Sequence, residues 1–479
     1  MWRRPLSLVE SREGGNNSMR ILLVRPAQIR WREEARRVGT PTGLLSIASV
    51  LQKYHDVEFV DAAAEGYRIE SEVKPDLFRF GLPDAEVLAR LDSFKPDVVG
   101  VTDSFTAYWG TTYDLLKSIR RHAPHVVTIA GGHHVSEAAE DILRLDSETR
   151  CLDIIVLKEG EASIVPLMRS IEERRAPVDV PGIAWRGPGG EIHVQPFRTW
   201  IPNLDDIPDP AWHLMRTSVY CKEMSHHGPP RGSNFLDMLF SRGCPTGCHY
   251  CTSTSYWGKR VRYFSEERVR HQVETVRALG WKEIVVEDDN FLALPRHVQR
   301  YICRALKDSG LHWCNDGGLY LPLVTEASVE MLAESGCYRV FLPLEHPRVG
   351  VMHRNHKYLQ IPNDAAFRTL IRRVTRMLRS AGIEFYCSVM VGFEGETCEA
   401  LCDAVALAEF VNDECGAMGT AFHWVQQFPG TQLAGNFKLW QISPEMYSLS
   451  KMPSRWDVFS SLVPARLRHA PSHQHSRPT

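Results

Sequence analysis

Ser241-Arg-Gly-Cys244-Pro-Thr-Gly-Cys248-His-Tyr-Cys251 follows the apolar run Phe235–Phe240, and its cysteines stand in C-x3-C-x2-C spacing. Thiolates are the usual ligands of iron–sulfur clusters. Three close thiolates hold three irons of a [4Fe–4S] cube and leave the fourth iron open to another molecule. Two plainer readings stand beside this one: a structural zinc site, or three unrelated thiols. A closed zinc site takes four ligands. His249 is a possible fourth, but it lies inside the motif and no distant pair matches it. The segment follows a strand, where the catalytic groups of a β/α barrel collect.

Downstream, apolar runs alternate with helical patterns. Strands are expected at Leu236–Ser241, Glu283–Glu287, Trp313–Asp316, Arg339–Glu345, Phe385–Val391 and Thr420–Val425. Between the first two, Val269, Val273, Val276 and Leu279 fall on one helical face, with Ser265 as cap and Gly280 as terminator. A further helix is expected over Ser328–Ser335. This series predicts a full or partial TIM-type β/α barrel over residues 235–432.

Upstream lies a second alternating series: Arg20–Val24, a helix at Leu44–Tyr54, then Val57–Asp61, Asp97–Val101, Val126–Ala130 and Ile154–Leu157. It predicts an α/β, doubly wound (Rossmann-like) parallel sheet over residues 19–198. Ligands in such sheets sit beyond the strand C-termini. The loops Ser104–Thr106, Gly131–His134 and Glu159–Glu161 occupy that edge. Residues 199–234, rich in Pro, Asp, Trp and Leu, read as an ordered linker. Residues 1–18 read as a disordered tail, and 433–479, ending basic and His- and Pro-rich, as a partly disordered extension.

The 479 residues suit two or three domains. Net charge is −2, with no basic patch that suggests nucleic acid or a membrane surface. The N-terminus lacks the apolar segment of a secretory signal, and no apolar run is long enough to cross a bilayer. The expected location is the cytoplasm. Of the 12 cysteines, only Cys151 and Cys221 precede Cys244. Disulfides are not expected there.

C-x3-C-x2-C with an aromatic before its last cysteine resembles the signature of the radical S-adenosylmethionine (SAM) family, and the resemblance spans Phe235–Thr431. It implies that Cys244, Cys248 and Cys251 hold a [4Fe–4S] cluster with SAM on its open iron, and that Tyr250 shields the cluster or packs near adenine. Glu287-Asp288-Asp289-Asn290-Phe291 resembles the acidic turn that meets the SAM amino group, through Asp288 or Asp289; helix capping is the structural alternative. Glu345 resembles the fourth-strand acid that contacts the SAM ribose, although Pro343 and His346 replace the usual small neighbours. Val391-Gly392-Phe393-Glu394-Gly395-Glu396-Thr397 resembles a fifth-strand turn, with Glu394 where proline is usual.

A doubly wound domain ahead of such a barrel resembles the cobalamin-dependent subclass. The resemblance implies that Ser104, Thr106, Gly131, Gly132, His133, Glu159 and Gly160 surround a cobalamin. The D-x-H-x-x-G motif that supplies a cobalt-ligating histidine elsewhere is not evident. The alternative is a degenerate flavodoxin-like domain kept for packing.

Cobalamin with SAM implies methyl transfer to a poor nucleophile: one SAM loads the corrinoid with methyl and a second generates the radical that opens the acceptor. Ala64–Tyr67, Phe80–Asp84, Gly182–Trp185, Ile207–Trp212 and Cys251–Gly258 resemble methyltransferases of phosphonate and phosphinate antibiotic pathways. Departures around Cys251–Gly258 and Leu342–Pro347 favour phosphorus methylation of a phosphinate (bialaphos type) over carbon methylation (fosfomycin type). The alternatives are carbon methylation, another radical SAM chemistry, or a corrinoid-binding sensor without catalysis. The implied partners are a small-molecule substrate and an electron donor such as flavodoxin or ferredoxin. Arg242, Lys259, Arg260 and Arg262 are candidate partners of an anionic substrate, or solvated surface charges.

Overall fold

The structure is a computed structural model and describes residues 18–32, 34–224 and 228–435. Apart from Ser18 and Leu433–Gly435, the expected tail and C-terminal extension lie outside the described residues.

Apolar runs buried on both faces make parallel strands. Strands β1 (Arg20–Arg25), β2 (Asp56–Asp61), β3 (Val98–Thr102), β4 (Val127–Gly131) and β5 (Ile154–Val156) pair in parallel. Strands β6 (Ile183–Arg186) and β7 (Ile192–Gln195) then extend the edge antiparallel. The spatial order is β7-β6-β5-β4-β3-β1-β2. Alternation along β1 sends Leu22 and Val24 to one apolar cluster and Ile21 and Leu23 to another, so both faces are covered. The parallel strands follow the order 2-1-3-4-5, which places the topological switch between β1 and β3.

The antiparallel edge departs from the purely parallel expectation, and so does a small sheet of Gln28–Trp31, Glu70–Lys74 and Leu77–Phe80. Glu70–Lys74 (ESEVK) is largely exposed, so pairing along the backbone, not an apolar run, makes it a strand.

The linker is ordered. Trp212, Met215 and Tyr220 are buried in one cluster that runs from Leu45 and Phe80 to Phe235 and Trp281. The Tyr220 hydroxyl donates to Asp61 at 2.7 Å.

The second sheet is parallel and sequential: β8 (Leu236–Met238), β9 (Glu283–Val286), β10 (His312–Asn315), β11 (Cys337–Glu345), β12 (Glu384–Val391) and β13 (Thr420–Trp424). It is a partial barrel whose edge strands are β8 and β13. The first expected strand is split: Ser241–Arg242 leaves β8 and pairs antiparallel with Arg262–Tyr263. The helix Glu266–Ala278 starts where Ser265 Oγ accepts the Arg268 N–H. Val269, Val273 and Val276 are buried, but Leu279 is 36% exposed, because it lies past the last turn that faces the core. The helix Glu326–Glu334 opens on a Thr325/Ser328 capping box. Among the described residues no helix is long and apolar enough to cross a membrane.

Candidate functional site

The cysteine loop leaves the second sheet after β8 and is tied down by its own backbone. Gly243 has φ +109, and a Cβ there would strike the Arg260 carbonyl, so only glycine fits beside Cys244. The Cys244 N–H donates to Gly258 and the Cys251 N–H to Cys248, both at 3.2 Å. All three cysteines are unbridged and part-exposed. In the metal-free protein, burial pushes the Cys248 thiol up to about 12 and raises Cys251.

Among the described residues no three His, Cys, Asp or Glu side chains converge on one metal ion. A cubane differs, because each thiolate takes a separate iron. His249 stacks its ring on His356 at 5.6 Å. Three unbridged thiols on one glycine-locked loop are a donor set that fits a [4Fe–4S] cluster.

The two acids of the next turn do different work. Asp288 is buried and accepts the Phe240 N–H at 3.2 Å and the Ser241 hydroxyl. It anchors the strand exit, and burial pushes its carboxyl up to about 7. Asp289 accepts the Ser253 hydroxyl at 2.7 Å, and the Cys251 thiol donates to the same Ser253 oxygen at 3.3 Å. Asp289 therefore lines the wall beside the third cysteine.

Glu345, at the end of β11, has φ +68 and accepts from Lys357 Nζ at 3.0 Å. Tyr250 packs edge-on to Phe393 at 5.9 Å, and its hydroxyl is buried without a partner among the described residues. The Gly392 N–H donates to Glu396, which also meets His346 at 2.9 Å.

On the first domain, Gly132 has φ +120, and a Cβ there would strike the Asp103 carbonyl. Thr106 Oγ1 and His134 Nδ1 are 3.0 Å apart, while His134 Nε2 is buried with no partner among the described residues. Ser104 is exposed beside them, and a Cβ at Gly131 would meet only the Val156 carbonyl, at 3.8 Å. A side-chain-free glycine edge beside an orphaned buried nitrogen fits a large polar ligand such as cobalamin. His133 faces the barrel and stacks on Tyr256, ring centroids 3.5 Å apart.

The arginines correct the sequence reading. Arg242 and Arg262 are neither surface charges nor free to meet a substrate. Arg242 is buried and pairs with Glu159 at 3.1 Å and Glu161 at 2.6 Å; Arg262 pairs with Glu159 at 2.8 Å. The Glu159 carboxylate thus serves the domain junction, and Gly160 packs against Val156 and Ile47. Lys259 and Arg260 are exposed. Lys357, Ser253 and the pairing of Glu159 and Glu161 with Arg242 escaped the sequence reading. Only the place of Arg242 beside the cysteine motif signalled any of them.

Residues 32–167 match the B12 binding domain family and residues 238–408 the radical SAM superfamily. Cytidylyl-2-hydroxyethylphosphonate methyltransferase of Streptomyces wedmorensis is 31% identical over 351 residues, 68% of this chain and 65% of that protein, just under two thirds of its length. An uncharacterized methyltransferase of Pyrococcus horikoshii is 26% identical over 464 residues, 96% of this chain and 90% of that protein. The fold matches the radical SAM methyltransferase TsrM from Kitasatospora setae, solved with cobalamin and a [4Fe–4S] cluster bound. The TM-score is 0.63 at 18% identity, over 87% of this chain and 74% of that one. This chain therefore joins a B12-binding domain to a radical SAM domain, and methyltransferases are among its relatives.

Proposed function

We propose that the protein is a methyltransferase acting on an organophosphorus acid, with the phosphorus of a phosphinate as acceptor. One observation carries the methyl-transfer reading. The glycine edge of the first domain is packed onto the cysteine loop of the second, through His133 on Tyr256 at 3.5 Å and Arg242 on Glu159 and Glu161. Two cofactor-holding edges then face one reaction space. When bound, cobalamin supplies the methyl carrier, and the reduced cluster with SAM supplies the radical that opens an unactivated acceptor.

The chain's own residues position and exclude. Cys244, Cys248 and Cys251 hold the cluster. Asp289 takes the SAM amino group and Glu345 the ribose, while Asp288 keeps the strand exit in place. Tyr250 and Phe393 keep water from the cluster wall. The reading implies an electron donor of the flavodoxin or ferredoxin type and a cytoplasmic setting, where thiols stay reduced.

The name of the Streptomyces wedmorensis relative supports a phosphonate-class substrate and keeps carbon methylation as the second reading. The test is anaerobically reconstituted protein with cobalamin, SAM and reductant, offered a P–H phosphinate and a cytidylyl phosphonate, read by phosphorus and carbon NMR. A P–CH3 product supports the first reading and a C–CH3 product the second. SAM cleavage without any methylated organophosphorus product overturns the substrate class. Absence of SAM cleavage overturns the enzymatic reading.

A further inference from the structure

Lys357 is a buried cation that the reaction outlined above does not use. Its ammonium meets Glu345 at 3.0 Å, with the two side chains 10% and 8% exposed. It also lies over the rings of Tyr358 at 5.1 Å and Tyr320 at 5.5 Å. Aromatic faces stabilise a cation without neutralising it.

The segment carrying Lys357 is pinned to the cysteine loop. The His249 N–H donates to the Asn355 carbonyl at 3.0 Å, and His249 stacks on His356 at 5.6 Å with 13° between planes. Lys357 is flanked by His356 at φ +57 and Tyr358 at φ +53, and its partner Glu345 is at φ +68. Each such non-glycine conformation costs about 1–3 kcal/mol and persists where the surroundings impose it. Three of them converge on one ion pair. Burying that pair also strips hydration from both charges, and an apolar pair of the same volume often stabilises a fold as well. Packing alone does not account for the charges.

We propose that Lys357 is a positioning residue of the cluster–SAM site: it holds Glu345 aimed at the SAM ribose, and its charge, on a segment pinned to the cysteine loop, eases electron entry into the cluster. The proposal rests on the radical SAM reading of the cysteine loop and of Glu345. Removing the ammonium leaves an unpaired carboxylate near the cluster, so reduction becomes harder. Glu345, no longer held by its counter-charge, loses its aim at the SAM ribose at the same time.

The experiment uses full-length protein with its cluster reconstituted. Wild type, K357R, K357M, E345Q and K357M/E345Q are titrated potentiometrically by EPR, and SAM affinity is measured at equilibrium. K357M is expected to shift the cluster to lower potential and to weaken SAM binding about tenfold. K357R is expected to stay near wild type on both readouts. The double variant is expected to regain the potential but not the affinity. Wild-type potential and affinity in an iron-loaded K357M overturn the proposal. If K357M does not load iron, E345Q and the double variant decide: a higher potential in E345Q than in the double variant supports the proposal, and equal potentials overturn it. A wild-type protein that holds no four-iron cluster overturns the radical SAM reading, and the proposal with it.

Discussion

Arg262 Nη1 reaches across the domain boundary and donates to both carboxylate oxygens of Glu159, at 2.8 Å each. Arg242, two residues before the first cysteine, meets the same carboxylate at 3.1 Å. Glu159 also accepts the Ile201 N–H from the linker at 2.7 Å. Three parts of the chain therefore share one buried acid. Glu159→Gln leaves two buried guanidinium groups short of a counter-charge and is expected to cost about 3–5 kcal/mol. Urea unfolding measures it, and a loss below about 1 kcal/mol would show that the junction does not depend on this charge.

Two groups on the cobalamin-domain edge give pH dependence of opposite sign in the cofactor-free protein. Burial raises Asp103 from 3.8 to about 7, so its stabilising contribution is complete below its unfolded value and is lost as pH rises through about 7. Burial lowers His134 from 6.5 to about 3, so its contribution is present above about 6.5 and is lost as pH falls below that. Over about pH 4 to 6.5 the two contributions oppose each other and largely cancel in the melting temperature of the wild-type protein. Asp103→Asn removes the falling contribution and should expose a rise in melting temperature between about pH 4 and 6.5; a profile that matches wild type over that range would exclude Asp103.

Gly132→Ala places a Cβ against the Asp103 carbonyl at φ +120. The expected loss is about 1–3 kcal/mol of stability, together with weaker corrinoid binding. Thermal unfolding and cobalt per chain report the two effects. Wild-type cobalt in a destabilised variant would separate this edge from the ligand.

Asp288 and Asp289 should separate experimentally. Asp288→Asn disturbs the Phe240 and Ser241 anchor and is expected to lower stability and cluster loading. Asp289→Asn keeps a partner for Ser253 and is expected to fold and load iron while binding SAM more weakly. Calorimetric SAM titration of both variants decides; the reverse pattern would swap their roles.

Cys244→Ala, Cys248→Ala and Cys251→Ala should each lose most of a complement of about four irons, whereas Cys398→Ala, at an exposed thiol, should keep it. Iron and sulfide analysis after anaerobic reconstitution measures this. Iron retained after loss of Cys248 would remove the cluster assignment.

The sequence alone determined the parallel strands, because runs such as Ile21–Val24 are buried on both sheet faces and local apolar pattern suffices to reveal them. It also determined the cysteine loop, because C-x3-C-x2-C is a local arrangement that survives without its neighbours. Glu70–Lys74 was illegible, since an exposed polar strand exists only through its partner's backbone. Tertiary structure alone decided which charges meet. Arg242 and Arg262 look like surface residues until Glu159 and Glu161 arrive from the other domain, and Lys357 has no visible purpose until Glu345 lies 3.0 Å away. A buried charge is stable only beside a counter-charge, and nothing local in the chain names a partner that folding brings from a distance.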